Sequence, residues 1–319
     1  MHEFELIKKY FSKLSLNNKS SLELNDDVFF DKSKGTVVSI DTYIEGIHFI
    51  NFNKPDLVIK KILRSSISDL ICKGVIPKYY FISGSGNSKT FSKMNLKKIS
   101  QSLKKEQKKF DIFLSGGDTV FSNKLSFTIT SLGFSKKIIF RNNAKLNDDI
   151  YVTGNLGDSY TGLKTLKKEI FTGKKQKKYF QDKYYCPSLY INLPKKLLNL
   201  ANTSIDLSDG LISDLEKLIN KQRLSYELYL DKIPISNYLK KILIKKRLKK
   251  MNFVSKGDDY QILFTASRSK SRIISKTFKS LGIKISKIGK ICSYSKKPQI
   301  FDEKGKKIAL NGKGYRHSF

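Results

Sequence analysis

The chain has 319 residues, 39% of them hydrophobic, with 21 Phe and 16 Tyr, enough for one large domain or two ordinary ones. Its 62 Lys and Arg against 28 Asp and Glu leave a formal net charge of +34. Cys72, Cys186 and Cys292 form no metal-spaced pair, which argues against a disulfide framework or a zinc site and fits a reducing, cytoplasmic setting, and no stretch reaches the ~20 apolar residues of a membrane span.

Phe4, Leu6, Ile7, Tyr10, Phe11 and Leu14 recur at helical spacing and predict an amphipathic helix over residues 1–15. They do not form the uninterrupted apolar run of a signal peptide. VVSID, near 37–41, reads as a strand. Residues 55–73 predict a helix that opens on Pro55 and stops before Gly74. YYFISGS reads as a strand, and SGSGNSKT (83–90) as a surface loop. That loop imitates a nucleotide phosphate loop but holds Ser83 and Ser88 where glycine is required. A Lys-rich helix follows over 92–109, then DIFLSGGDT as strand and loop, then KLSFTITSLGF as an alternating strand. A composition break near 135–140 sets a domain boundary, giving units 1–137 and 138–319.

The second unit begins with a strand at 150–153, a glycine turn and a helix from Ser159, followed by a polar linker at 172–186. SIDLSDGLISDLEKLI reads as strand, turn and helix. YLKKILIKKRLKK reads as one helix with a solvated basic face. KGDDYQILFTA is a turn and strand, and RIISKTFKSLGIKISKIGKI a helix and strand. Strands and helices interleave without strict βαβ spacing, so the fold class is α+β.

Acid is scarce, yet it is concentrated. Asp26-Asp27, Asp41, Asp69, Asp118, Asp206, Asp209 and Asp258-Asp259 lie in short segments punctuated by Gly or Ser. Clustered carboxylates repel unless a cation sits among them, and Mg²⁺ is usually held by one or two carboxylates with phosphate oxygens. In LSGGDT the glycines free the backbone to approach a phosphate, and Asp118 can reach a metal; a plain capped turn is the alternative. Asp41 ends the VVSID strand and His48 follows one loop later, although a lone histidine is more often structural. Asp69 falls on the polar face of the 55–73 helix, where a solvated charge is the simpler reading. Asp209 fits a helix N-cap, whereas Asp206, between Ile205 and Leu207, is costly to bury unpaired. Acidic turns drawn from both halves imply one site for metals and polyphosphate, the arrangement phosphoryl transfer needs. The basic residues are dispersed and mostly Lys, which argues against a specific nucleic-acid surface.

The ordered motifs NDD, SIDTYIEGIHF, SISDL, LSGGDT, FRNNAKLNDDIYVTGNLGDS, IDLSDGLISDL, KGDDYQILF and GYRH run nearly end to end. Together they resemble the thiamine-monophosphate kinases, within the ATP-binding superfamily of aminoimidazole-ribonucleotide synthetase. The resemblance implies two α+β domains of sandwich type with mixed or antiparallel sheets, a cleft between them as the active site, and a homodimer joined through the sheet edges of the first domain. It implies direct, Mg²⁺-assisted transfer from ATP to thiamine monophosphate. By matched position, Asp27, Asp41, Asp69, Asp118, Asp206 and Asp209 are the metal carboxylates, with Ser39 and Ile40 beside them. Phe110, Gly117, Asp118, Arg141 and Ser208 fall at nucleotide positions, and His48, Asp258 and Tyr315 at substrate positions. Two departures stand out. Glu23-Leu24-Asn25 replace the family's G-x-G before the Asp pair, and Asp258 replaces a glutamate. The competing readings are a superfamily synthetase that phosphorylates an amide or carbonyl oxygen, and a basic nucleic-acid-binding protein.

Overall fold

The computed structural model describes residues 3–302 and 304–308. Tyr315 lies outside the described residues. The chain opens with α1 (Glu3–Leu6), a π-helical turn (Ile7–Phe11) and two 3-10 segments (Ser12–Ser15 and Lys19–Leu24). Then come β1 (Phe29–Asp31), β2 (Thr36–Ile44), α2 (Pro55–Cys72), β3 (Pro77–Gly86), α3 (Lys93–Phe110), β4 (Phe113–Phe121) and β5 (Ser126–Phe134). These strands form a five-stranded sheet in the order β1-β2-β5-β3-β4, with β3 and β4 parallel and the other pairs antiparallel.

The second half holds β6 (Asp149–Thr153), α4 (Asp158–Leu166), α5 (Lys174–Tyr185), α6 (Pro194–Leu200), β7 (Thr203–Asp206), α7 (Leu211–Leu218) and β8 (Leu224–Tyr229). It continues with α8 (Asn237–Lys245), α9 (Met251–Val254), β9 (Ile262–Ala266), α10 (Ser271–Ser280), β10 (Ile285–Ser293), β11 (Gln299–Phe301) and β12 (Lys307–Ile308). A seven-stranded sheet runs β12-β11-β8-β10-β6-β9-β7. The architecture is the expected α+β arrangement with two mixed sheets.

Helix α2 ties the two halves together. Pro55 sits in its first turn, where the missing N–H would have had no helical partner. Gly74, at φ 81°, takes the left-handed conformation that ends the helix. Between them Val58, Ile59, Ile62, Leu63, Ile67 and Ile71 are buried, in one apolar cluster with Ile129 of the first sheet and Tyr151 and Phe264 of the second. Each such side chain contributes roughly 1.5–3 kcal/mol by leaving water.

Among the described residues, the opposite face of the first sheet has no such cover. The β registers align Ile40, Thr130, Phe81 and Gly116 in one row. Ile40 is 67% exposed, and Tyr79, Phe81, Phe113, Val120 and Phe134 are also open. Every residue of the edge strand β4 is exposed.

Several sequence expectations need correction. The N-terminal segment is not one regular helix: Tyr10, Phe11 and Leu14 stay exposed, and a short helix without a packed face is marginal. LSGGDT is not a loop but the middle of β4. Its glycines serve the close approach of strands, since a Cβ on Gly117 would lie 1.9 Å from the carbonyl oxygen of Ile82. Ser83–Gly86 likewise belongs to β3 rather than to a loop. The 172–186 stretch contains α5, because Phe180, Tyr184 and Tyr185 pack inward. The basic helix ends at Lys245, and Arg247 turns left-handed at φ 50°.

Candidate active site

Strand alternation sets the centre of the site. Along β2, Val37, Ser39 and Tyr43 are buried beside α2 while Ile40 and Thr42 face out, which puts Asp41 on the α2 side. Ser39 Oγ donates to Asp69 Oδ2, and Tyr43 OH donates to Asp41 Oδ2 at 3.3 Å. Asp206 ends β7 at 2% exposure, and its Oδ2 has no hydrogen-bond partner. Burial pushes Asp41 up to about 6 and Asp206 up to about 7. Asp69 is driven well above the ordinary carboxylate range, first by burial and then by the charges of Asp41 and Asp206. Two carboxylates beside the first sheet and one from the second therefore feel one another.

A divalent cation fits this donor set. Asp206 is buried and Asp41 and Asp69 are partly so; their charges repel one another, and Oδ2 of Asp206 is orphaned. Among the described residues, no three Asp, Glu, His or Cys side chains could hold an ion by themselves. Phosphate or water oxygens would complete the shell of a bound ion, as is usual for Mg²⁺.

The neighbouring acids already have partners. Lys73 Nζ, on a side chain with 0% exposure, lies 2.7 Å from Asp26 Oδ1 and 2.9 Å from Asp27 Oδ2. It also donates to the carbonyl of Ser204 at 2.8 Å. The Arg141 guanidinium pairs with Asp27, and its backbone N–H donates to Asp26 Oδ2 at 2.9 Å. The turn leading to this pair puts Leu22, Glu23 and Leu24 at φ 53°, 58° and 51°. It thus keeps a glycine-like conformation at Glu23 without glycine.

Asp209 pairs with Lys217. Behind it, Asp214 Oδ2 accepts the N–H groups of Asp209 at 3.0 Å and Gly210 at 2.9 Å, shaping the turn into α7. Burial pushes Asp214 up to about 6. The carbonyl of Ser208 accepts the N–H of Asp258 at 2.8 Å. A Cβ on Gly257 would meet that same carbonyl at 1.7 Å, so glycine is needed where the two turns touch.

His48 and Asp258 belong to one connected group. His48 Nδ1 accepts the N–H of Ile44 at 3.0 Å, which puts the proton of the neutral ring on Nε2. Tyr184 OH reaches the His48 carbonyl at 3.5 Å. Lys61 Nζ lies 4.0 Å from the centre of the Tyr184 ring and 2.6 Å from Asp258 Oδ2. Asp259 points elsewhere: it accepts the Gly157 N–H at 2.7 Å and steadies the start of α4.

Three expected residues stand apart. Asp118 lies in the row Thr42–Thr128–Ser83–Asp118 on the outer face. Three strand spacings separate it from β2, roughly 14 Å, so a single chain does not bring it to Asp41. Gly117 neighbours it on β4. Phe110 is a core residue at 3% exposure with the Arg64 guanidinium over its ring, so it presents no open face to a nucleotide. Sequence reasoning missed Lys61, Lys73, Lys217, Tyr184 and Asp214. A usable signal existed on α2, where Lys61, Ser65 and Asp69 lead to Lys73 at successive four-residue steps, one helical face.

Residues 25–135 match the family model described as AIR synthase related protein, N-terminal domain. The thiamine-monophosphate kinase of Buchnera aphidicola subsp. Acyrthosiphon pisum (strain APS) is 35% identical over 332 aligned residues, covering 99% of this chain and 98% of that protein. This chain belongs to the thiamine-monophosphate kinase family. The Haemophilus influenzae thiamine-monophosphate kinase is 32% identical, covering 91% of this chain and 89% of its own. Among solved structures, one described as AaThiL complexed with AMPPCP and TMP matches this family member with a TM-score of 0.85 at 26% identity, covering 99% of this chain and 97% of that one. The Escherichia coli hydrogenase maturation protein HypE, at 17% identity and a TM-score of 0.69 over 88% of this chain and 86% of its own, shares the fold of the thiamine-monophosphate kinases.

Proposed function

We propose that this protein transfers the γ-phosphoryl group of ATP directly to the phosphate of thiamine monophosphate, yielding thiamine diphosphate and ADP. The observation that carries the reading is the locus of Asp41, Asp69 and Asp206, drawn from β2, α2 and β7, in a member of this kinase family. An oxygen of the acceptor phosphate attacks the γ-phosphorus in line, and the bond to the β–γ bridging oxygen breaks. The acceptor oxygen is already ionised near neutral pH, so no side chain has to remove a proton. Asp27, Asp41, Asp69 and Asp206, with the Ser39–Ile40 strand beside them, are the residues that would hold Mg²⁺. When bound, Mg²⁺ offsets the charge on the β- and γ-phosphate oxygens. Arg141 and the Ser208 backbone are assigned to the nucleotide. His48 and Asp258 are assigned to the acceptor together with Tyr315, with Lys61 and Tyr184 fixing the position of Asp258.

The reading includes a cleft between units 1–137 and 138–319, a cytoplasmic setting and a homodimer. The exposed apolar face with Ile40, Phe81, Phe113 and Phe134 supports the dimer, since uncovered patches of this kind mark association surfaces. A second copy against that face covers it and puts Asp118 at the join. The direct test is incubation with ATP, thiamine monophosphate and Mg²⁺, with products separated by chromatography. Thiamine diphosphate and ADP are expected in equal amounts. ADP without thiamine diphosphate, or turnover only with an amide or carbonyl acceptor, would overturn the assignment.

A further inference from the structure

The far end of the acidic site contains its own cation. Asp209 immediately precedes the turn into α7, Asp214 lies in the first turn, and Lys217 follows three residues later on the same helical face. Lys217 Nζ pairs with Asp209 Oδ2 and lies 3.3 Å from Asp214 Oδ1. The Asp214 side chain is 0% exposed and that of Lys217 only 16%. Asp214 Oδ2 is taken by two backbone N–H groups, and its Oδ1 accepts no hydrogen bond. The free sides of both carboxylates therefore converge on one ammonium. Burial works against the charge on Lys217, but Asp214 and Asp209 outweigh it and hold its pKa above the ordinary lysine value.

We infer that the Lys217 ammonium takes the place of a divalent cation between Asp209 and Asp214, so that this chain binds one metal ion fewer than its aspartates could hold. A Mg²⁺ ion needs carboxylate oxygens at about 2.0–2.1 Å within a near-octahedral shell. The ammonium lies against both carboxylates, and it is a compact single charge tethered to the same helix. Asp209 is then a lysine-paired carboxylate rather than a metal ligand. The inference rests on the proposed binding of Mg²⁺ by Asp41, Asp69 and Asp206.

The test counts bound Mn²⁺ per chain by equilibrium dialysis in the presence of AMPPCP, without turnover. Lys217→Gln is expected to bind one more Mn²⁺ than the wild type. An unchanged count in folded Lys217→Gln overturns the inference. Asp209→Asn in the wild-type background is expected to leave the count unchanged, and loss of one ion there overturns the inference even if the Lys217 variant fails to fold. If none of the proteins binds Mn²⁺, the metal reading fails and this inference fails with it; equal, non-zero binding by the wild type and Lys217→Gln removes only the inference.

Discussion

Replacing Asp206 by Asn isolates the cost of the buried carboxylate in the metal-free protein. Burial raises this group from the ordinary aspartate value of 3.8 to about 7. Between those values the folded chain keeps a proton that the unfolded chain releases. The folded state therefore loses stability as pH rises, by about 1.4 kcal/mol per pH unit, until the folded pKa is passed. From pH 5 to pH 8 the wild type should lose about 3 kcal/mol through this group, an upper value because Asp41, Asp69 and Asp214 titrate with it. Asn has no proton to lose. Its amide has its own desolvation cost, roughly 1–3 kcal/mol if left unpaired, but that cost is the same at both pH values. Urea denaturation in EDTA at pH 5 and pH 8 measures the difference. Asp206→Asn should gain on the wild type by about 3 kcal/mol between the two conditions. Saturating Mg²⁺ should then stabilise the wild type far more than the variant. A stability difference that does not change with pH would show that Asp206 is ionised at little cost and would remove the central reason for placing a metal there.

Other perturbations probe separate parts of the molecule. Glu23→Gly should stabilise the chain by about 0.5–1 kcal/mol in urea denaturation, because a left-handed non-glycine residue costs ~1–2 kcal/mol and the added freedom of the unfolded glycine returns part of it; an equal loss would mean that the turn is not strained. Lys61→Met should raise the KM for thiamine monophosphate about tenfold or more and leave the KM for ATP nearly unchanged, as measured in steady-state assays, since Asp258 loses the cation that positions it. An equal rise in both constants would point to general damage instead. In the proposed dimer, Phe81→Glu places a charge on the uncovered sheet face and should shift the protein to monomer in sedimentation velocity with far-UV circular dichroism unchanged; a persistent dimer would locate the interface elsewhere.

The sequence made the helical and strand periodicities legible where one face is buried against a definite partner. Helix α2 was readable from Pro55, its apolar spacing and Gly74. The π-helical start was not, because its apolar residues find no surface to pack against. Glycines misled in the opposite direction. Gly116 and Gly117 suggest a phosphate-binding loop, but they lie in β4, where the close approach of Ile82 excludes a side chain at Gly117. Asp206 was legible as an unusual charge because its apolar neighbours announced its burial. Asp69 was not, because the depth of its helical face depends on Ser39 and Asp206, both distant in sequence. Lys61, Lys73 and Lys217 were hidden by composition: among 62 Lys and Arg, the few that neutralise buried acids look like all the solvated ones.

Helix α2 also acts as a gauge. Lys61, paired with Asp258, and Asp69, hydrogen-bonded to Ser39, are eight residues apart on one rigid element, a span of about 12 Å at 1.5 Å per residue. The buried Arg64–Glu106 pair and the Lys73 contacts at its C-terminal end keep that element from sliding. In the proposed function, the reach between the groups assigned to the two ends of the acceptor is thus set by helical rise rather than by a loop that can lengthen or relax, and size selection requires no moving part.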